Sequence, residues 1–398
     1  NPKELRILAR PRPTVTLPPE QAGKPRPGSY NRAHRAVNAR PACLARLFAG
    51  SLKLSAPENS TASVLALVAD DMAEVDRVIS DRLNSGVPLV GDVARYIISA
   101  GGKRLRPVLL LLTCGALGYT GHQRHNLAAV VEFIHTATLL HDDVVDGSEM
   151  RRGRPTLAAS HGVAAAINAG DGLAVVAGQV LRRATRRLDR DLADLIWGEF
   201  DTMALRTLEG QAIEIGWQRD NVEDLGPSDY LNLIMHKTCW YTTIHPLRVG
   251  AIVGSGGQAD LGPLVRFGFH FGAAFQIRDD LLNLIGDEQQ YGKEILGDLY
   301  EGKRTLPLVH LLAAADGADG QLVRDYLRRS RAERSPELVA TVRALMDDYG
   351  SITFTREFAE GILVVAEDYF EQAFADAQPG PDLDFLRSLV PYVWARWH

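Results

Sequence analysis

Acidic residues recur in two short groups that lie far apart in the chain. Asp142, Asp143 and Asp146 fall within residues 141–146, whereas Asp279 and Asp280 come well over a hundred residues later. On a helix, residues four apart share one face with their Cβ atoms roughly 5–6 Å apart, so Asp142 and Asp146 would repel each other without a cation between them. Magnesium suits this arrangement, because it binds through one or two carboxylates plus the phosphates of a substrate. Two such helices facing each other could hold a diphosphate.

Basic residues form several separate groups. Residues 101–107 read GGKRLRP, in which two glycines allow a tight turn and Lys103 and Arg106 begin a helix, where free N–H groups also favour anions. Two arginines follow the first acidic group, and arginine favours bidentate contact with phosphate oxygens. The other candidates are Arg151, Arg152, Lys237, Lys293 and Lys303. Taken singly, each group could equally be a solvated turn or helix face.

Polar side chains beside the second acidic group share a broad helix face with it. Gln276 and Asn283 stand three or four residues from Asp279 and Asp280. Asn283 is neutral where a third acid could stand, although its side chain can still accept a hydrogen bond from a metal-bound water.

The composition limits the possible classes of protein. The 398 residues are 46% apolar and 23% charged with a net charge of −5, which indicates a globular protein and argues against a general nucleic-acid binder. The three cysteines are widely spaced and form no CxxC pair, so a zinc site or a disulfide framework is not expected. The longest apolar run, near residues 107–117, is too short to span a bilayer. We expect a cytoplasmic protein without a transmembrane segment.

Residues 1–60 differ from the rest of the chain. They contain nine of the twenty prolines and eleven Lys or Arg against three Asp or Glu, which predicts a disordered basic leader. The alternatives to a disordered leader are that this segment is upstream sequence of no structural role, or that it is a transit peptide. From residue 61 to 398 apolar residues recur with helical spacing and no β-type alternation is found, which predicts one all-α domain. Pro246, inside one helical pattern, predicts a kink or break.

The predicted helices after the leader cover most of this domain. The first begins at Ser60 or Thr61, and a second lies near residues 92–99. The longer segments are 104–118, 123–147, 161–188, 190–218, 228–254, 260–286, 304–315, 320–330, 335–349, 354–377 and 381–396.

The order and spacing of the motifs resemble those of the trans-isoprenyl diphosphate synthases of the polyprenyl synthetase family, over roughly residues 64–398. The matching motifs are GGKRLRP at 101–107, HDDVVD at 141–146, RRG at 151–153, KT at 237–238, FQIRDD at 275–280, GK at 292–293 and EGKRT at 301–305. The resemblance implies the isoprenoid synthase fold, a single large helical bundle with a central cavity between two aspartate-bearing helices. It also implies a homodimer that condenses isopentenyl diphosphate with dimethylallyl, geranyl or farnesyl diphosphate, using three magnesium ions per site.

The resemblance also assigns roles to individual residues. The implied metal ligands are Asp142, Asp146, Asp279, Asp280 and, in an assisting role, Asp143. The implied ligands of the allylic diphosphate are Arg151, Lys237, Gln276, Lys293 and the nearby Lys303. The implied ligands of isopentenyl diphosphate are Lys103, Arg106, His135 and Arg152. The catalytic residues would be Lys237, Thr238 and Gln276, with the released diphosphate as the base.

The resemblance leaves the product length open. In this family, bulk at the positions of Ala137 and Thr138 stops chain growth, and both residues are small here, which disfavours farnesyl diphosphate. Phe133, one turn deeper with Ile134, could form a floor, which favours geranylgeranyl diphosphate, although longer products remain compatible. A neutral Asn283 also occurs in some geranylgeranyl diphosphate synthases. Trp240 and Tyr241 are larger than usual for the family and are expected to reshape the pocket.

Two rival classes remain. A class I terpene cyclase also has an aspartate-rich helix, but it normally lacks the GGKRLRP motif and the paired arginines. A non-catalytic subunit of a heteromeric synthase would tend to lose acids or cations that this chain retains.

Overall fold

The computed structural model describes residues 68–83, 104–286 and 295–395 of the chain. The predicted leader and the predicted helix near residues 92–99 lie outside the described residues and stay predictions. Within the described ranges almost every element is a helix, so the predicted all-α fold class is confirmed.

The N-terminal half of the bundle contains six helices and one small hairpin. The helices are α1 (Ala69–Arg82), α2 (Leu105–Ala116), α3 (Gln123–Val145), α4 (Leu157–His161), α5 (Val163–Thr185) and α6 (Arg190–Arg219). Between α3 and α4, strands β1 (Met150–Arg151) and β2 (Arg154–Pro155) pair antiparallel. The sequence did not predict this hairpin, because strands of two residues are too short to show the alternation of apolar and polar residues that is typical of a β-strand.

The C-terminal half begins with three consecutive helical segments, namely α7 (Pro227–Ile234), a π-helix (Met235–Ile244) and α8 (His245–Gly254). Residues 228–254 were predicted as one helix with a break at Pro246, and the backbone indeed changes from π to α geometry at His245, so Pro246 lies in the first turn of α8. The remaining elements are α9 (Leu261–Ile285), α10 (Gly297–Glu301), α11 (Leu306–Ala314), α12 (Gly317–Leu327), a 3₁₀ turn (Arg331–Glu333), α13 (Pro336–Asp348), α14 (Ser351–Ala373) and α15 (Pro381–Ala395).

The two helices that carry the acidic groups, α3 and α9, lie inside the bundle. α3 packs against α5, α2 and α1, and α9 packs against α14 and the π-helix. Both helices are apolar on most faces, as expected for helices buried by neighbours on several sides. α9 begins where the Asp260 side chain accepts from the Gly262 backbone N–H, a standard N-cap. With 23 residues, α3 is about 34 Å long, so it runs through most of the domain.

Among the described residues, α5 is the one helix long and apolar enough, by length and composition, to cross a membrane. A third of its most apolar stretch is buried against the rest of the protein. A core helix passes the same test, and α5 packs along α3, so its apolar character does not by itself indicate a membrane span. The expected cytoplasmic location stays a prediction.

Candidate active site

A cavity of about 620 Å³ opens between α3, the π-helix and α9, and charged side chains form most of its wall. The structure brings most of the predicted site residues together there. Those that line it are Arg106, His135, Asp142, Asp146, Arg151, Arg152, Lys237, Thr238, Gln276, Asp279, Asp280 and Lys303. Lys103 and Lys293 lie outside the described residues, and their roles stay predictions.

Asp142 and Asp146 lie at the C-terminal end of α3, each near a lysine from another element. Lys237 Nζ lies 3.7 Å from Asp142 Oδ1, and Lys303 Nζ lies 2.7 Å from Asp146 Oδ2. Burial raises the pKa of Asp142, and the charge of Lys237 works against that rise. The other oxygen, Asp146 Oδ1, is buried without a hydrogen-bond partner. A buried acceptor without a donor is unfavourable, so this oxygen is available to a cation.

The acids of this cavity fit a metal that shares its coordination with a substrate. Within the described ranges, no group of three His, Cys, Asp or Glu side chains is arranged to hold a metal without further ligands. Magnesium commonly binds through one or two carboxylates, waters and substrate phosphates. The unpartnered Asp146 Oδ1 and the hard oxygen donors of the wall agree with that mode of binding.

Asp143 has a different environment from the other two acids of α3. It is 3% exposed and accepts from Arg151 Nε at 2.6 Å, and it is not among the residues that line the cavity. Burial raises the pKa of Asp143, and the adjacent Arg151 opposes this rise. The placement departs from the predicted assisting metal ligand, because Asp143 points away from the face that Asp142 and Asp146 share. Its observed contact instead holds Arg151 at the cavity.

The β1–β2 hairpin places the paired arginines. Arg152 and Gly153 form its turn with positive φ angles of 53° and 71°. Turns of two residues with positive φ match the twist of paired strands, and glycine accepts this conformation easily. Arg151 lies on β1 beside the turn, so both guanidinium groups reach the cavity wall.

The π-helix carries Lys237 and Thr238. π-Helical turns are rare and occur frequently at functional sites. The backbone of α6 approaches the π-helix closely at Gly210, where an added Cβ would lie 2.1 Å from the Lys237 backbone nitrogen. A glycine is therefore required at this crossing, and it fixes the position of Lys237 relative to α6.

Lys237 forms an ion pair with Glu214 of α6 in addition to its contact with Asp142. Burial works to lower the pKa of Lys237, but Glu214 and Asp142 outweigh it, so the pKa is raised. Lys237 therefore stays a cation in a largely buried position. Glu214 was not predicted from the sequence. Its only distinguishing feature there is that an acid stands on a helical face that also carries buried apolar residues.

Lys303 joins the end of α10 to the first acidic helix. Besides Asp146, its Nζ lies 2.6 Å from Glu301 and 3.8 Å from Asp298. Burial works to lower the pKa of Lys303, but Asp146 and Glu301 outweigh it and the pKa is raised. The Asp298 backbone N–H donates to Asn283 Oδ1 at 3.0 Å, so Asn283 holds the start of α10. This contact uses the oxygen that was expected to face a metal-bound water.

Asp279 and Asp280 of α9 both line the cavity, but they differ in their contacts. Tyr230 Oη donates to Asp280 Oδ2 and Gln276 Nε2 donates to Asp280 Oδ1, each at 2.7 Å. Burial raises the pKa of Asp280, and the charge of Asp298 adds to this rise. Because both of its oxygens accept hydrogen bonds, Asp280 has little acceptor capacity left to ligate a metal directly. Tyr230 was not predicted, since a lone tyrosine in an apolar helix gives no signal.

A second cluster of predicted residues surrounds Tyr241. The Arg106 guanidinium lies 4.7 Å from the centre of the Tyr241 ring, and the His135 ring stacks on the same tyrosine with 5.8 Å between ring centres. Arg106 Nη2 also donates to Thr242 Oγ1 at 2.9 Å. Burial lowers the pKa of His135, and Arg106 lowers it further, so the imidazole is neutral. Tyr241 lines the cavity as expected, whereas Trp240 does not.

The predicted chain-length residues lie deeper along α3. Phe133 is fully buried and Ala137 is 4% exposed, while the Thr138 hydroxyl donates to the His135 carbonyl. None of the three is among the residues that line the cavity. Their predicted effect on product length stays a prediction.

This combination of an all-helical bundle and a cavity walled by two acidic helices and several cations is that of an enzyme that holds diphosphates. The polyprenyl synthetase family model matches residues 87–346, so the chain belongs to this family and is a trans-prenyltransferase. The octaprenyl diphosphate synthase of Escherichia coli is 35% identical over 325 residues, which cover 81% of this chain and 94% of that protein.

Two further relatives are a geranylgeranyl diphosphate synthase and a polyprenyl synthase of known structure. The geranylgeranyl diphosphate synthase of Sulfolobus acidocaldarius is 30% identical, covering 78% of this chain and 93% of that protein. The crystal structure of a polyprenyl synthase from Caulobacter crescentus, complexed with calcium and isoprenyl diphosphate, aligns with a TM-score of 0.74 at 30% identity and covers 84% of this chain and 97% of that one. The predicted isoprenoid synthase fold is therefore confirmed.

Proposed function

We propose that this chain catalyses the magnesium-dependent, head-to-tail condensation of isopentenyl diphosphate with an allylic diphosphate to give an all-trans prenyl diphosphate. One observation carries the proposal. Asp142 and Asp146 of α3 share one cavity with Asp279 of α9, and Lys237 and Lys303 reach those acids from two further elements. A non-catalytic subunit would have no need to keep this set of charges.

The cations of the wall would hold the allylic diphosphate. Arg151, Lys237 and Lys303 supply fixed positive charge where negative charge develops on the departing diphosphate, and such preorganised charge is a large part of catalysis. Magnesium, held by Asp142, Asp146 and Asp279 in a cluster of three ions, would add further charge neutralisation. Asp280 acts indirectly, by fixing Gln276 through their hydrogen bond.

The cluster around Tyr241 would hold isopentenyl diphosphate. Arg106 and Arg152 supply cationic donors, and His135 adds a polar contact without adding charge, because its lowered pKa keeps it neutral. Thr238 lines the cavity between the two groups, where its hydroxyl can stabilise the carbocation. The oxygens of the released diphosphate would accept the proton.

The experiment uses the purified chain alone. Incubation with magnesium, isopentenyl diphosphate and geranyl or farnesyl diphosphate should release inorganic diphosphate and give a longer prenyl diphosphate. Removal of magnesium by a chelator should abolish both the release of inorganic diphosphate and the formation of the longer prenyl diphosphate. Absence of condensation with every allylic primer would contradict the proposal and favour the non-catalytic subunit.

We expect the product to be geranylgeranyl diphosphate, because Ala137 and Thr138 are small and Phe133 lies one turn deeper on α3. A longer product is the second candidate. It is favoured by the similarity to the E. coli octaprenyl diphosphate synthase and by the absence of Phe133 from the cavity lining. Mass spectrometry of products made from farnesyl diphosphate separates the two. Mainly forty-carbon or longer chains would contradict the geranylgeranyl assignment.

We further propose a homodimer formed through the exposed apolar side chains of α5 and α6. Val175 of α5 is 61% exposed, and Leu205 and Leu208 of α6 are 56% and 67% exposed. If these side chains form one contiguous apolar patch, such a patch would be a suitable interaction surface. Leu208→Glu should shift the mass measured by light scattering towards the monomer, whereas Val364→Glu, at an exposed position of α14, should not. A wild-type chain that runs as a monomer at every concentration would contradict the dimer.

A further inference from the structure

A second cavity lies outside the site, between the first turn of α3 and the end of α5. It has a volume of about 300 Å³ and is lined by His122, Gln123, Asn126, Arg183, Ala184, Arg186 and Arg187. It is called the arginine cavity here. No acidic residue lines it, whereas the active-site cavity is lined by both acidic and basic residues.

The three arginines of this cavity have no acidic partner among the described residues. No ion pair in the part of the chain that the structure describes involves Arg183, Arg186 or Arg187, and all three are exposed. Arg183 lies in the last turn of α5, where a cation complements the helix dipole. Arg186 is the C-cap residue of the same helix and Arg187 follows it, so three cations stand together at one helix end. Three guanidinium groups around one small cavity repel one another weakly, because they are exposed to solvent, and an anion between them would turn this repulsion into attraction.

The arginine cavity lies at the opposite end of α3 from the aspartates. His122 and Asp142 are about 30 Å apart along the helix axis, from the rise per residue. α5 runs antiparallel to α3, because Gly170 packs against His141 near one end while Ala184 lies beside the first turn of α3 at the other. A ligand in this cavity therefore does not overlap the substrates.

We infer that the arginine cavity is a second, non-catalytic binding site for a phosphate group. The guanidinium fork matches phosphate oxygens with two parallel hydrogen bonds, and the amide side chains of Gln123 and Asn126 can add neutral contacts. The phosphate could belong to the headgroup of an anionic lipid or to free diphosphate. The two sources share one chemistry, and the experiment distinguishes them. Neither an anionic lipid nor free diphosphate has to react in order to bind here, so the inference does not depend on the proposed function.

The test uses the full chain with two probes and no divalent metal. The first probe is vesicles of phosphatidylcholine with or without phosphatidylglycerol, followed by sedimentation. The second is inorganic diphosphate, titrated by calorimetry to count sites beyond the active site. The variant R183Q/R186Q/R187Q should weaken the binding of at least one probe on the order of a hundredfold. Each arginine is expected to increase the affinity by somewhat less than about tenfold, and three are removed. Binding of vesicles identifies a lipid headgroup, and a second diphosphate site identifies the free anion.

A matched control removes the same charge elsewhere. R219Q/R266Q/R329Q alters three exposed arginines that do not line the arginine cavity, and it should leave binding within a factor of a few of the wild type. The single variant Arg186→Gln is a milder change at an exposed side chain and should weaken binding by up to about tenfold. The inference is overturned if neither probe binds outside the active site, or if both triple variants bind alike.

Discussion

Lys303 Nζ donates to Asp146 Oδ2 at 2.7 Å, although the two residues are 157 positions apart in the chain. The contact joins the segment after the second acidic helix to the end of the first one. It brings a lysine that follows α10 next to the acids of the first helix. The two walls of the cavity are thus tied together by charge as well as by packing.

Replacement of Lys303 by methionine should slow the reaction strongly. It removes a cation from the leaving group and leaves Asp146 and Glu301 without their shared partner. Loss of one preorganised charge typically lowers kcat by about 10²–10³-fold. Steady-state rates at saturating magnesium measure the effect, and Lys303→Arg, which keeps the charge, is the control. A loss below about tenfold would show that Lys303 does not act on the leaving group.

Asp142 and Asp143 should respond differently to substitution by asparagine. Asp142 faces the cavity, so Asp142→Asn should weaken magnesium binding by at least about tenfold, measured by calorimetry and by the metal dependence of the rate. Asp143 contacts Arg151 instead, so Asp143→Asn should leave metal affinity nearly unchanged and raise the KM for the allylic diphosphate. Equal loss of metal affinity in both variants would indicate that Asp143 is a ligand after all.

Gly210→Ala should displace Lys237. The added Cβ would lie 2.1 Å from the Lys237 backbone nitrogen, so α6 and the π-helix must move apart. We expect a loss of about 1–3 kcal/mol in the free energy of unfolding and a higher KM for the allylic diphosphate. Gly198→Ala on the same helix is the matched control, because nothing lies within 4 Å of its added Cβ. It should be neutral or slightly stabilising, and similar losses in both variants would contradict the proposed close contact.

His245 should make the protein less stable in mild acid. Burial lowers its pKa from 6.5 to about 4, so the folded protein keeps it neutral. As the pH falls below about 6.5, the unfolded chain takes up this proton and the folded chain does not, which costs about 2 kcal/mol by pH 5. His245→Gln should therefore lose less thermal stability than the wild type between about pH 7.5 and pH 5. His161→Gln, at an exposed histidine, is the control, and an unchanged pH dependence in His245→Gln would refute the argument.

The sequence predicted the long helices closely because their apolar periodicity extends over many turns. The prediction of residues 260–286 matches α9 (Leu261–Ile285), and the prediction of 190–218 matches α6 (Arg190–Arg219). A π-helix and an α-helix share nearly the same apolar pattern over ten residues, so the geometry around Lys237 was not predictable.

Partner residues of the catalytic groups were harder to predict. Glu214 and Tyr230 act through contacts with residues far away in the chain, and neither belongs to a local motif. The sequence indicated that Asn283 can accept from a metal-bound water, but it gave no sign of the hydrogen bond that its oxygen accepts from the Asp298 backbone. Such contacts depend on how helices cross, which a single sequence does not specify.

The ion pairs of the substrate-free cavity have a consequence for the order of binding. Lys237 and Lys303 are engaged with Asp142 and Asp146, so each cation needed by a diphosphate is held by a carboxylate needed by a metal. A metal that takes Asp142 and Asp146 removes one partner from each lysine, leaving Lys237 with Glu214 and Lys303 with Glu301. A diphosphate that takes the lysines in turn frees the two carboxylates for the metal. The two ligands should therefore bind with positive heterotropic cooperativity, each increasing the affinity for the other by the same factor.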